Sequence, residues 1–331
     1  MAREKIAIDF GNSQTKIYKT GDGLVLLEPT VISVGSAGDT KIGKEAKKLV
    51  GKTASDTKII FPMFEGEVVS EPFAIKVLSN FLQKTEVKTG GFTKAIVSVP
   101  CGLSADALKG VESVITGAGI GSVDFVEAPI LSALGQNLIL NDFNPHFIID
   151  MGAGNTNIGA VSSEGVIAGI SVNIGGNSID TALIDFIAEH SGLQIGLNTA
   201  EKMKIQIGSL VEKDNLSTLI NGRDVTTGKP RSVCIKASDI KAVLEGYYDK
   251  IAELSLQVLA KLSPEVSACV RHAGIYVAGG TASVYGLEDY YSKKFGMKVN
   301  VAENPKTAVA FGGGVLLSDD TMLKKVRIEI K

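Results

Sequence analysis

Both halves of this chain carry the same alternation of short apolar runs and polar turns, which predicts the same strand meander twice. In the first half Lys5-Ile6-Ala7-Ile8 leads into the loop Asp9-Phe10-Gly11-Asn12-Ser13-Gln14-Thr15. Thr15-Lys16-Ile17-Tyr18 then alternates back, and Gly21-Asp22-Gly23 turns the chain into Leu24-Val25-Leu26-Leu27. In the second half His146-Phe147-Ile148-Ile149 leads into Asp150-Met151-Gly152-Ala153-Gly154-Asn155-Thr156, and Gly165 to Asn173 continues the meander. Each loop reads D-x-G-x-x-x-T.

Between and after the loops, strands alternate with helices. The pattern predicts helices around Gly43 to Leu49 and from Val68 to Phe81, a polar loop from Lys84 to Phe92, and a strand over Ala95 to Val99. Ser104 caps a helix to about Ile115, Val123 to Val126 is a strand, and Pro129 opens a helix to about Asn137. In the second half helices are expected over Ser178 to His190, around Glu201, Lys204 and Ile205, and from Ala237 to about Leu262, with Asn221-Gly222-Arg223-Asp224 as a hairpin turn. Ile275 to Ala278 is a buried strand before Gly279-Gly280-Thr281-Ala282, which starts a helix. Gly312-Gly313-Gly314 opens the last helical segment, and Val326 to Ile330 alternates like an exposed edge strand. The more polar stretches from about 30 to 62 and 192 to 236 take corresponding places in the two halves, as small insertions. Strands alternating with helices imply an α/β layer architecture.

Composition narrows the function. With 44% apolar and 21% charged residues in 331, the chain buries a large core. A formal charge of −2 and the lack of a Lys/Arg block argue against nucleic acid as a partner. Cys101, Cys234 and Cys269 lack metal or redox spacing, so they are expected as buried small apolar residues in a reducing cytoplasm. Met1-Ala2-Arg3-Glu4-Lys5 runs straight into the first strand, so no signal peptide or anchor helix is expected, and no apolar run reaches the length of a membrane span.

The loops carry the chemistry. A strand that ends in Asp and turns through Gly brings backbone N–H groups to an anion, while the carboxylate can orient a hydrated divalent cation. One such loop reads equally well as an ordinary hairpin turn; two, facing each other, would grip a nucleotide polyphosphate. Lys16 serves either as a phosphate ligand or as a solvated strand lysine. The Gly175-Gly176-Asn177 turn either admits a ligand close to the backbone or simply enters a helix. The turn at Gly279 to Ala282 offers bare backbone and a helix N-terminus to the nucleoside-phosphate end.

On these loops and insertions the chain resembles the actin, sugar-kinase and heat-shock-chaperone ATPase superfamily. Within it, the chain resembles a divergent paralogue of the MreB family of bacterial actins. The closer likeness lies in Leu49-Val50-Gly51-Lys52-Thr53 leading to Ile60-Phe61-Pro62-Met63-Phe64-Glu65-Gly66-Glu67-Val68, similar to L-G-R-T-P-G-N and R-P-M-x-D-G-V-I. Thr199 to Gly208 resembles T-A-E-R-I-K-I-E-I-G, and Gly222 to Gly228 resembles G-R-D-L-V-T-G. The resemblance covers nearly the whole chain. It implies an actin-like fold: two duplicated ribonuclease-H-like α/β domains, each with a small insertion subdomain, and a nucleotide cleft between them. The implied large subdomains are 1–29 with 66–143 and 311–331, and 144–179 with 240–310; the small ones are 30–65 and 180–239.

The resemblance further implies ATP and Mg2+ in the cleft and self-assembly into filaments of paired protofilaments, with other MreB-like paralogues as candidate partners. Asp9 and Asp150 would hold Mg2+ through water. Gly11, Asn12, Ser13 and Gln14, with Lys16, and Gly152, Ala153, Gly154 and Asn155, with Gly176, would surround the phosphates. Glu201, Lys204, Gly279, Gly280, Thr281 and Ala282 would hold the nucleoside.

The departures bear on mechanism. The family has E-E-P before the helix that ends the first domain, and its second Glu positions the attacking water; here the triplet is Glu127-Ala128-Pro129. Alanine neither orients water nor accepts its proton. Asn155 and Asn157 stand where the family usually has Thr and Glu. Slow ATP hydrolysis follows, with Asp150 and Thr156 left to position water, and Glu127 able to substitute only if the strand end were rearranged. Lys16 stands where the family is usually apolar and eukaryotic actin has a phosphate-contacting lysine.

The family's membrane loop corresponds to Thr85 to Phe92, where Phe92 is one aromatic among polar residues. One Phe contributes about 1.5–3 kcal/mol on burial, so membrane contact is weak per subunit and depends on avidity. The expected place is the cytoplasm, at most peripheral at the inner face of the membrane. The reading that follows is a nucleotide-dependent cytoskeletal subunit for cell shape or internal organisation. The alternative is a small-molecule kinase on the same fold, which would need a base beside an acceptor pocket; His146, His190 and His272 are scattered. A chaperone-type ATPase would need a peptide-binding domain.

Overall fold

The computed structural model describes residues 4–52 and 56–329. Met1 to Arg3 of the N-terminal run, Thr53 of the motif beginning at Leu49, and Ile330 of the C-terminal strand lie outside the described residues.

The first half opens with the expected meander, β1 (Lys5–Phe10), β2 (Gln14–Lys19) and β3 (Gly23–Pro29). A small three-stranded sheet follows, made of β4 (Ile32–Val34), β5 (Thr40–Ile42) and β6 (Lys58–Ile60), with the one-turn helix α1 (Lys44–Lys47) between its last two strands. The hairpin β7 (Met63–Phe64) and β8 (Glu67–Val68) leads to α2 (Glu71–Lys84), so Val68 belongs to a strand and the helix begins three residues later than expected. Strand β9 (Gly90–Val99) starts inside the stretch expected as loop. Ser104 caps α3 (Ala105–Gly117) by accepting from the Ala107 N–H at 3.2 Å, and β10 (Ile120–Glu127) and α4 (Ala128–Gly135) complete the half.

The second half repeats the plan with β11 (His146–Met151), β12 (Thr156–Ser162) and β13 (Gly165–Val172), then α5 (Gly176–Ser191). Its small sheet joins β14 (Leu193–Gln194), β15 (Ser217–Asp224) and β16 (Pro230–Lys236), with α6 (Leu197–Ile207) packed beside it. Asn221 and Gly222 lie within β15 and not in a turn. A Cβ on Gly222 would overlap the Gln194 carbonyl of the neighbouring strand, so this glycine serves close strand packing. The reversal comes later, where the Asp224 carboxylate accepts from the N–H groups of Thr226 (3.0 Å) and Thr227 (2.8 Å). Helices α7 (Ala237–Leu259) and α8 (Pro264–Ala273), strand β17 (Ile275–Ala278), helix α9 (Leu287–Phe295) and β18 (Val299–Val301) follow. The chain ends through α10 (Ala308–Leu316), α11 (Asp320–Val326) and β19 (Arg327–Ile328).

The two large sheets are copies of one another. Their orders are β3-β2-β1-β9-β10-β19 and β13-β12-β11-β17-β18. In each, an antiparallel three-strand meander is extended by two parallel strands, and β19 adds an antiparallel edge to the first. Parallel strands require both faces covered, and three apolar cores supply the cover. One lies between the first sheet and α2 and α3, and one between the second sheet and α5, α6, α7 and α9. The third, built on Ala7, Ile96 and Ile148 of the two sheets with Ile130, Leu131 and Leu316 of α4 and α10, joins the halves.

That joining core explains the glycine triplet. Gly312 to Gly314 lie inside α10 and do not open it. A Cβ on Gly312 would overlap the Leu131 carbonyl of α4, and one on Gly135 of α4 would overlap the Ala308 carbonyl of α10. The helices thus touch backbone to backbone. Overpacking of a well-filled core costs about 1–3 kcal/mol, and a clash with backbone cannot be relieved by turning a side chain. Gly312→Ala is therefore expected to cost about 3 kcal/mol, read as a lower urea midpoint with unchanged slope. An unchanged midpoint would show that these helices slide apart freely.

Of the three cysteines, Cys101 is buried as expected, but Cys234 is exposed on β16 and Cys269 is half-buried on α8. Cys234 alternates with the buried Ile235 on β16, so the face its position presents, not its apolarity, sets its exposure.

Candidate functional site

The duplication places both D-x-G loops at the same corner of their sheets, β1 to β2 and β11 to β12, on facing sides of one cleft. Asp9, Gly11 to Gln14, Lys16, Asp150, Gly152 to Asn155, Gly176, Glu201, Lys204 and Gly279 to Thr281 line it, as does Ala128. Its volume of about 280 Å3 is close to the lower end of small-molecule sites.

Hairpin register explains the aspartates' partners. Asp9 pairs with Lys16 across the first hairpin, and Asp150 pairs with Asn157 across the second. The Lys16 ammonium lies 2.6 Å from the Asp9 carboxylate, largely shielded from solvent, so it is a cleft residue and not a solvated one. The Asn157 side chain lies beside Asp150 across the hairpin, and its Oδ1 accepts from the Cys101 N–H at 3.0 Å, tying the second hairpin to the loop after β9. Burial, and then the neighbouring Asp9 charge, push the Asp150 carboxyl up to about 7; Lys16 and Asn157 oppose the shift.

The site tests well against a polyphosphate with a divalent cation. Asn12 Nδ2 is buried without a partner, held in place by its own Oδ1, which accepts from the Gly66 N–H at 3.1 Å. A Cβ on Gly154 would overlap that same Nδ2, so the two loops close on each other around an unsatisfied donor. Such a donor asks for an acceptor, and a phosphate oxygen is one. Two carboxylates in one cleft, Asp150 raised first by burial and then by the Asp9 charge, suit a hard cation that completes its shell with water and phosphate. Among the described residues no group of three or more His, Cys, Asp or Glu side chains could form a cage for a metal ion without such a ligand.

The nucleoside side differs from expectation in detail. Lys204 donates to the Gly176 carbonyl at 2.7 Å and lies 2.8 Å from Asp180, a buried carboxyl on α5 that burial pushes up to about 6 against the pull of Lys204. The Gly279 turn leads into four residues of 3-10 helix, Gly280–Ser283, not an α-helix, so it offers backbone with little dipole. Thr281 faces the cleft and donates to the Gly152 carbonyl at 2.7 Å, whereas Ala282 is buried behind it and does not line the cleft. The turn at Gly175 and Gly176 both enters α5 and lines the cleft.

The residues expected to position water are less available than the sequence indicates. Thr156 is fully buried and its hydroxyl donates to the Ile174 carbonyl at 2.6 Å, so it does not face the cleft to position water. Ala128 does face it. Glu127 accepts from the Gly102 N–H at 2.8 Å, and the neighbouring Cys101 thiol is pushed up to about 12, chiefly by burial and then by the Glu127 charge. Its carboxylate is thereby committed to the loop after β9. Phe92 lies on β9, 83% exposed.

Asp180 and Lys306 line the cleft without having been expected there. Asp180 had a weak signal, a carboxyl one helical turn after the Gly175-Gly176 entrance; Lys306, in the loop after β18, had none.

The MreB/Mbl protein family profile matches residues 3–325. The cell shape-determining protein MreB of Escherichia coli strain K12 is 30% identical over 328 residues, covering 96% of this chain and 94% of that protein. The cell shape-determining protein Mbl of Bacillus subtilis strain 168 is 28% identical over 333 residues, covering 99% and 100%. Among solved structures, MreB5 of Spiroplasma citri bound to AMPPNP matches with a TM-score of 0.92 at 26% identity, covering 98% of each chain. A MamK double helical filament shares the fold, with a TM-score of 0.82 at 23% identity, covering 96% of this chain and 99% of that one. With an actin-like fold built from a duplicated sheet and a cleft lined by both copies of the aspartate hairpin, this chain belongs to the MreB/Mbl family.

Proposed function

We propose that the protein is a nucleotide-dependent cytoskeletal filament subunit, serving cell shape or internal organisation, that binds ATP with Mg2+ and hydrolyses it slowly. The observation that carries the nucleotide reading is the pair of facing aspartate hairpins closed around the unsatisfied Asn12 amide. Family membership supports the filament reading: the relatives are named cell shape-determining proteins, and a structure of the same fold is a double helical filament. The subdomain limits proposed are those expected from the sequence, with the small sheets at 30–65 and 180–239.

In this reading Asp9 and Asp150 hold Mg2+ through water, and the bound cation offsets phosphate charge. The backbone of Gly11 to Gln14 and Gly152 to Asn155 donates to the phosphates, with the Asn12 amide between them. Glu201, Lys204 and the Gly279 to Thr281 turn hold the nucleoside. Hydrolysis is slow because no group at the phosphate end is free to take a proton from water. Ala128 has none to offer, Thr156 donates to Ile174, and Glu127 is bound to the Cys101-Gly102 loop. Asp150 remains, and it is occupied with the metal.

Assembly draws on the closed, nucleotide-bound arrangement, so weak hydrolysis gives long-lived filaments or leaves turnover to partners such as MreB-like paralogues. No helix among the described residues is long and apolar enough to cross a membrane. We place the protein in the cytoplasm, touching the membrane through Phe92 only as an array of many copies.

Lys16→Ala tests the phosphate end. Removing a shielded cation from the Asp9 side of the cleft is expected to weaken MgATP affinity about tenfold, measured by fluorescent-nucleotide titration. Unchanged affinity would show that Lys16 serves only Asp9.

A further inference from the structure

The halves of the molecule also meet beside the nucleoside end of the cleft, through the helix that carries the residues expected to hold the nucleoside. Asn198 and Glu201 are three residues apart on α6 and so share a face. That face meets α1 and the turn after it, in the small insertion of the other half. The Lys47 ammonium lies 2.8 Å from the Glu201 carboxylate, and Asn198 Nδ2 donates to the Val50 carbonyl at 2.9 Å. One turn further along α6, Lys204 lies 2.8 Å from Asp180. Charges therefore alternate from Lys47 through Glu201 and Lys204 to Asp180, running from one half of the molecule into the other. Glu201 and Lys204 line the cleft; Lys47 and Asn198 are not among its lining residues.

Contacts that exist only while the halves are together favour the closed arrangement alone. A ligand held by Glu201 and Lys204 on one side and by the first aspartate hairpin on the other would span the same two halves that these contacts join. We propose that Lys47 and Asn198 form a latch that keeps the cleft closed over bound nucleotide and slows its release, with Glu201 shared between ligand and latch. The inference rests on the nucleotide reading of the cleft and adds to it two residues that do not touch the ligand.

The expected size is modest. The Lys47 and Glu201 side chains are 33% and 31% exposed, so water screens the pair, and the Asn198 contact is one hydrogen bond. Each contact is expected to change the release rate about three- to tenfold. The ionic half should also respond to salt, and the hydrogen-bonded half should not.

The test is release of N-methylanthraniloyl-ATP, preloaded with Mg2+ and chased with excess ATP in a stopped-flow instrument below the concentration for assembly. Lys47→Ala and Asn198→Ala are each expected to release the nucleotide about three- to tenfold faster, and the double variant faster still. Lys47→Arg, which keeps the charge, should match the unmodified protein. Release from the unmodified protein and from Asn198→Ala should quicken with salt, while release from Lys47→Ala should lose most of that response. Unmodified rates in all variants would overturn the latch and leave the nucleotide cleft standing. No saturable binding by the unmodified protein would overturn the cleft reading and the latch with it.

Discussion

Replacing Ala128 by glutamate is expected to raise phosphate release from MgATP by roughly 10²-fold, the lower end of what a positioned general base contributes. Ala128 lies at the first position of α4 and faces the cleft, so a carboxylate there would reach toward the phosphate end. It would also sit in the first helical turn, where negative charge is favoured. The size of the effect follows from how fully the other candidates are engaged. Thr156 is committed to Ile174 and Glu127 to the Cys101-Gly102 loop, and in the proposed reading Asp150 serves the metal, so among the described residues no base of similar reach is left free. Glu127→Gln in the unmodified background is accordingly expected to leave the rate unchanged. An Ala128→Glu protein no faster than the parent, with nucleotide affinity intact, would show that slow turnover has another cause, with Asn157 the next residue to change.

Gly154→Ala is expected to weaken nucleotide affinity by roughly 10- to 100-fold, about 1.4–2.7 kcal/mol. The added methyl would overlap Asn12 Nδ2. Asn12 cannot simply swing away, because its Oδ1 is held by the Gly66 N–H and its Cβ lies only 3.2 Å from the new carbon. Relief must come from parting the two loops, which disperses the donor cluster proposed to face the phosphates. Both loops lie at the cleft surface, so folding stability should change little by comparison, and a denaturation curve beside the binding titration separates the two effects. Full affinity in Gly154→Ala would show that the loops need not close on each other to bind.

What was legible in the sequence follows the range of the interactions. The duplication was readable because it is written in local pattern, two D-x-G-x-x-x-T loops each between alternating runs, and hairpin geometry alone sets Lys16 opposite Asp9. Ser104 as a cap was readable for the same reason. Glycine misled where its purpose was tertiary: Gly222 makes room for a neighbouring strand and Gly312 for a neighbouring helix, yet both look like local punctuation. The role expected of Thr156 failed because sequence shows a hydroxyl but not that Ile174 receives it. Lys306 and the pair of Lys47 with Glu201 depend on contacts between elements far apart in the chain, which no local spacing encodes, and Asp180 showed only as a carboxyl one turn after the Gly175-Gly176 entrance.

The most direct test of the central claim is sedimentation with electron microscopy of the purified protein in MgATP, in MgADP and without nucleotide, with phosphate release followed in the same samples. Filaments that persist in MgATP while little phosphate appears are the expected result. A protein that binds MgATP yet remains monomeric in all three conditions would contradict it.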